Sequence, residues 1–297
     1  MNELVAEIQV KSILNKHKKR DDWFLDDYSV NPYSGCSFNC IYCYTRGSKY
    51  GVNLAKELSV KINVGELLER QLSRRAAKGE YGIIGFASQE AYLPIEKELK
   101  VTRKLLEVVL KYRFPVHIIT KSPLILRDLD ILKEIDINAI LPDDLKPQLG
   151  RGVIISSSIS TLDEKLAGIF EPGAPTPRNR LETMRECKKE GFLVGMNFIP
   201  VLPFLSDSEE HLQEMIKTAK DYEMDFVFVG GLTLFGEGPI DSKTLYYKAL
   251  EKHFPELIPR YKCLFRGHFA PRRGYQQELE ERSKRLCEKY QIRYGII

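Results

Sequence analysis

The chain has 297 residues, 43% hydrophobic and 29% charged, with 45 basic against 41 acidic residues and a formal charge of +4. This composition is that of a globular protein large enough to bury a core without disulfide staples, as one large α/β domain or two small ones. The near balance of charge singles out neither a nucleic acid nor a membrane as partner, although a local basic groove is a separate matter.

The amino-terminal stretch "MNELVAEIQVKSILNKHKKR" has no apolar h-region, so no signal peptide is expected. No apolar run approaches the roughly 18–20 residues that span a bilayer. Of six cysteines, three are clustered at 36, 40 and 43 and three are scattered at 187, 263 and 287. That is not a secreted disulfide framework, and the expected compartment is a reducing cytoplasm.

A first strand is expected near 27–31, leading into the cysteine loop. Apolar, β-branched runs at 81–87, 115–120, 152–159, 192–199 and 226–232 predict five more strands. Between them, apolar residues at i, i+3, i+4 spacing predict helices over 64–78, 97–112, 177–191 and 208–222. Gly191 stands where a C-terminal cap belongs, and Asp207 or Ser208 can cap the next helix. Residues 136–151 read as an inserted loop; 260–275 read as irregular and basic, with a charged helix at 276–290. Most strand-to-strand spacings are about 30–40 residues, the length of a βαβ unit. The expected fold is α/β: a parallel sheet curled into a full or partial (β/α) barrel or wound as an open sheet, with its active face at the carboxyl ends of the strands.

The stretch "NPYSGCSFNCIYCYTR" spaces its thiols as Cys36-x3-Cys40-x2-Cys43. Structural zinc sites use four ligands, usually two separated pairs, and no second pair or histidine partner with that spacing is present. A [4Fe–4S] cube wants a thiolate on each iron, so three thiolates leave one iron open. Three free cysteines in a turn would be an oxidation hazard. His117, inside a strand, reads as a packed core histidine, and Cys187 as a core cysteine. Cys263 and Cys287 are candidates for an auxiliary centre or a hydrogen donor.

This cysteine loop resembles that of the radical S-adenosylmethionine (SAM) superfamily, in its spore photoproduct lyase-like branch. Three later segments resemble the same branch in the right order: "ASQEAYLPIEKELKVTRKLLEV" (87–108), "TKSPLILRDLDIL" (120–132) and "FEPGAPTPRNRLETM" (170–184). The resemblance implies a partial (β/α)6 barrel over 26–235, after an N-terminal extension (1–25) and before a C-terminal helical extension (236–297) that completes or covers it. It implies a [4Fe–4S] cluster on Cys36, Cys40 and Cys43, with S-adenosylmethionine on the open iron. Electron transfer would then give methionine and a 5′-deoxyadenosyl radical that abstracts hydrogen from a substrate. A cellular reductant such as flavodoxin or ferredoxin is implied as partner.

By the same resemblance, Gln89 and Glu90 meet the amino end of the cofactor, Lys121 its carboxylate or ribose, and Ser158 the cofactor after the fourth strand. Strand alternation puts Ser156, Ser158 and Ser160 on one face. Tyr42 covers the adenine edge or packs on the loop. Arg180 reads either as a carboxylate binder or, like most helical arginines, as an exposed residue with no special role. Tyr44 holds the place of a tyrosine that assists hydrogen return in the lyases proper. Their hydrogen-donating cysteine is replaced by Ala87, which argues against thymine-dimer reversal. The expected substrate is nucleic acid or nucleotide-like, supported by the basic stretches 11–20 and 265–275. The alternatives are a small metabolite, a protein side chain, or an iron–sulfur protein of binding or electron transfer.

Overall fold

The computed structural model describes residues 5–51 and 57–297, so the first four residues of the expected N-terminal extension lie outside the described residues. Seven parallel strands stand side by side in chain order: β1 (Tyr28–Ser29), β2 (Ile84–Phe86), β3 (Val116–Ile119), β4 (Val153–Ser158), β5 (Leu193–Val201), β6 (Phe226–Gly231) and β7 (Arg293–Tyr294). β1 is the strand expected before the cysteine loop, and β2 to β6 are the five that the apolar runs predict. β7 adds to the β6 edge from the end of the chain, and Asn15–Lys16 pairs antiparallel with β1 at the other edge. The two edges do not pair with each other among the described residues, so the barrel is partial.

The crossovers carry the helices α1 (Val64–Ala76), α2 (Val101–Tyr112), α3 (Leu129–Asn138), α4 (Glu164–Phe170), α5 (Pro177–Lys189), α6 (Glu209–Asp221), α7 (Ser242–His253), α8 (Ile258–Phe265) and α9 (Arg273–Tyr290). Strand alternation sorts the core into two layers. Val116, Ile118, Val153, Ile155, Val194 and Met196 share one cluster with helix residues such as Leu68, Leu105 and Met184. Ile154, Phe226 and Phe228 face the other way, into the barrel.

Three expectations are corrected. The segment 136–151 is not wholly loop: Asp136–Asn138 finish α3, and the remainder sends Leu145 and Leu149 into the cluster that floors the barrel. Residues 260–265 are helical in α8, because Tyr261, Leu264 and Phe265 give that stretch a buried face. The helix over 97–112 is interrupted at Lys100, whose φ is +52°. The buried Glu96 carboxylate accepts from Thr102 N at 3.0 Å and caps α2 from within the preceding turn. Gly191 (φ +88°) follows α5, and Ser208 accepts from His211 N at the start of α6.

Candidate active site

The cysteine loop leaves β1 at the carboxyl end of the sheet and is anchored on both flanks. On one side Tyr33–Ser34 pairs with Ser59–Lys61, which pairs in turn with Ala6–Ile8. Gly35, just before Cys36, has φ +90°, and a side chain there would stand 3.3 Å from Leu58 Cα. The buried Tyr33 hydroxyl donates to Glu96, and Arg127 donates to Glu96 Oε1 at 2.8 Å. On the other side Gly47 (φ +81°) lies so close to the loop after β6 that a side chain would meet the Phe235 carbonyl at 2.7 Å. Ser242 Oγ donates to Arg46 O at 3.1 Å, and Ile41 N donates to Phe170 O at 3.0 Å.

The three thiols are partly buried. Burial pushes Cys36 up to about 12. Burial also raises Cys40, against the opposing pull of Lys121. A bound cationic group would reverse that preference and favour thiolates. Among the described residues no three ligands converge as a single metal ion would require. A cluster that gives each thiolate its own iron does not need that convergence, and the all-sulfur donor set fits iron.

The loop after β2 brings Glu90 to the same end. Its Oε1 accepts from Thr120 Oγ1 at 2.6 Å and Tyr92 N at 2.9 Å, and its Oε2 from Lys121 N at 3.0 Å. Burial pushes this carboxyl up and the three bonds pull it back, with the first effect larger. A carboxylate offers about four lone-pair sites, so one remains. Gln89 Oε1 is buried with no partner among the described residues, which leaves a second acceptor. Ala87 directly follows β2. Tyr44 lies at the rim, 39% exposed, with its ring edge-on to Tyr50 at 5.9 Å. Crowding, and Cys43 beside it, push its phenol up to about 12.

Lys121 follows β3 and points across to the cysteine loop. Its Nζ donates to Cys40 Sγ at 3.4 Å, Tyr42 Oη at 3.0 Å and Glu171 Oε1 at 2.8 Å. Tyr42 is buried, with Lys121 5.2 Å from its ring centre, and its hydroxyl bonds Glu171 and, at 2.9 Å, Ser160. Arg180 is not an exposed helical arginine: it is 1% exposed. It sits in the first turn of α5, and its guanidinium donates to Glu171 Oε2, to Pro175 O at 2.8 Å and to Ser158 O at 2.9 Å. The carboxylate it binds is the protein's own. Burial would raise Glu171, but Lys121 and Arg180 outweigh it and hold the carboxyl down at about 2.

Of the serines, Ser158 ends β4 and its carbonyl accepts from Arg180, while Ser160 lies beyond the strand. Ser156 Oγ, in the interior, meets His117 Nε2 and Asn197 Nδ2, each at 2.9 Å. Ser160 reaches Tyr42 and Glu171, whereas Ser157 Oγ is buried without a partner among the described residues. His117 is a core residue, 0% exposed, bonded through Nδ1 to Phe24 O at 3.0 Å. Cys187 and Cys287 belong to the helix–sheet core, while Cys263 is exposed on α8. Of the two basic stretches, Arg20 pairs with Asp27 and Asp144 at the amino end of the strands, the far end from the cysteines. The other lies by the mouth, where Phe269 O accepts from Leu234 N, just beyond β6, at 2.7 Å. Sequence reasoning missed Glu171, although its nine-residue spacing to Arg180 lies within the segment 170–184.

Comparison with known proteins adds an independent line. Residues 30–219 match the model of the Radical SAM superfamily. An uncharacterised protein of Mycobacterium tuberculosis is 29% identical over 272 residues, 89% of this chain and 75% of its own. ORF301 of Acidianus two-tailed virus is 30% identical over 68% of this chain and 66% of its own. A variant of spore photoproduct lyase, solved with AdoMet and dinucleoside spore photoproduct, superposes with a TM-score of 0.62 at 16% identity, over 96% of this chain and 79% of that one. At that identity the likeness is one of fold.

Proposed function

Since this chain belongs to the radical SAM superfamily, we infer that it holds a [4Fe–4S] cluster on Cys36, Cys40 and Cys43 and uses S-adenosylmethionine to take a hydrogen atom from a substrate at the barrel mouth. The observation that carries this reading is the anchored loop of three thiols, with Lys121 Nζ 3.4 Å from Cys40 Sγ. When bound, such a cluster supplies one electron to the sulfonium, which releases methionine and a 5′-deoxyadenosyl radical.

The residues around it bind and orient. The remaining lone pair of Glu90 and the unpartnered Gln89 Oε1 are acceptors for the cofactor ammonium. Lys121 supplies a cation for a carboxylate or ribose hydroxyl, and Ser158 closes the β4 side. Tyr42 fixes the loop between its last two cysteines. Tyr44 faces the rim, where a substrate enters.

A nucleic-acid or nucleotide-like substrate is the reading we favour. Its support is the basic stretch at the mouth and the dinucleoside bound by the lyase of similar fold. A flavodoxin or ferredoxin would supply electrons, in a reducing cytoplasm. No helix among the described residues is long and apolar enough to cross a membrane. Replacing all three cysteines with alanine tests the centre. The wild type should take up about four irons per chain under anaerobic reconstitution, and the variant none; equal iron in both would overturn the assignment.

A further inference from the structure

The geometry points to the buried Glu171–Arg180 pair as a positioning and charge-setting device: Glu171 holds the Lys121 ammonium against Cys40 and Tyr42, and Arg180 holds Glu171. This rests on the reading that the three cysteines carry a cluster.

The side chains of Arg180 and Glu171 are 1% and 2% exposed, and that of Lys121 is 12% exposed. Stability does not account for burying three charges, since well-packed apolar residues usually hold such a site as well or better. The bonds are instead distributed by position. Arg180 ties the end of β4 through Ser158 O and the α4–α5 turn through Pro175 O to Glu171. Glu171 gathers Lys121 at 2.8 Å, Ser160 at 3.3 Å and the Tyr42 hydroxyl onto one oxygen. Three loops at the carboxyl end of the sheet are thereby fixed relative to the cysteine loop. Neither Glu171 nor Arg180 donates to a thiol; they act through Lys121, Tyr42 and the field they create.

That field has a definite sign. Two cations and one anion leave the group with a net charge of +1. Low dielectric and little solvent screening make such a charge felt by any electron added nearby. Neighbouring charge and hydrogen bonds to sulfur are among the levers that set a cluster's potential. Removing the anion and removing a cation must therefore move the potential in opposite directions. A merely structural role would not separate the two.

The test is a redox titration of the reconstituted wild type and of Glu171→Gln, Arg180→Gln and Arg180→Lys, followed by the visible absorption and paramagnetic resonance of the cluster. Glu171→Gln should shift the midpoint potential upward and Arg180→Gln downward, while Arg180→Lys, which keeps the charge, stays near the wild type. Should Arg180→Gln take up no cluster, Lys121→Gln replaces it and should also shift downward. Shifts of the same sign in the anion and cation variants, or wild-type potentials throughout, would overturn the inference and leave the cluster assignment intact. A wild type that assembles no cluster overturns the functional reading, and this inference with it.

Discussion

Glu90→Gln separates the charge of a central residue from its shape. The wild-type carboxylate receives Thr120 Oγ1 at 2.6 Å and Tyr92 N at 2.9 Å on one oxygen and Lys121 N at 3.0 Å on the other. Glutamine keeps an acceptor for the first two donors and turns an amide N–H toward the third. One buried backbone N–H then lacks an acceptor, at a cost of ~1–3 kcal/mol. Relief of carboxylate burial offsets part of this, so a net loss of ~1–2 kcal/mol and a fall in Tm of roughly 2–4 °C are expected. Glu90→Ala strands all three donors and should cost ~3–5 kcal/mol after partial relaxation. Both variants lose the charge-assisted bond to the cofactor ammonium, worth ~1.5–3 kcal/mol, so affinity for S-adenosylmethionine should fall roughly 10- to 150-fold. Equilibrium dialysis of the reconstituted proteins, with iron content and Tm measured on the same samples, separates the effects. Wild-type affinity in Glu90→Gln, with iron content unchanged, would refute the placing of the ammonium at this residue.

Lys121→Ala should weaken S-adenosylmethionine binding in the same assay, by less than Glu90→Ala; unchanged affinity would remove Lys121 from the cofactor site. Burial holds His117 down at about 4 against its ordinary 6.5, with Asp26 Oδ1 3.7 Å away. The unfolded imidazole gains a proton below 6.5 that the folded one refuses. This stability is therefore full above 6.5 and falls as pH drops toward 4, by ~2–3 kcal/mol between pH 7 and 4.5. Urea unfolding of the wild type and His117→Gln at both pH values should show that excess only in the wild type; an identical pH dependence would contradict the account. Single- and double-stranded oligonucleotides should bind with a log–log salt slope of about −0.7 to −0.9 per phosphate contacted. Replacing Arg272 and Arg273 with glutamine should reduce that slope by about one or two. Fluorescence anisotropy that detects no binding at low salt would exclude a nucleic-acid substrate.

Five of the parallel strands were legible because each is an apolar run bounded by a helical pattern, and β1 because a strand was expected to lead into the cysteine loop. β7 was not: its two residues, Arg293–Tyr294, carry no periodicity, and only packing of α9 on the sheet places them beside β6. The loop over 139–151 looked polar in sequence, but Leu145 and Leu149 are spaced one turn apart and reach the barrel floor. At the site, local spacing announced the cysteines, since three soft ligands within eight residues have few other uses. The Lys121–Glu171–Arg180 network was hidden because Lys121 follows β3 whereas Glu171 and Arg180 lie in the crossover after β4, and only the fold brings the two units together. An arginine in the first turn of a helix looks solvated until the fold turns that end toward the mouth. The basic stretch 11–20 illustrates the reverse: it reads as a polyanion contact, yet Arg20 is bound by Asp27 and Asp144 at the opposite end of the strands.

The most direct measurement is product formation by the anaerobically reconstituted protein, reduced and incubated with S-adenosylmethionine, with chromatographic quantitation of 5′-deoxyadenosine and methionine. The account predicts that the two appear in equal amounts and that both vanish in the triple cysteine-to-alanine variant. A protein that carries about four irons per chain and binds S-adenosylmethionine, yet forms no 5′-deoxyadenosine under reduction, would contradict it.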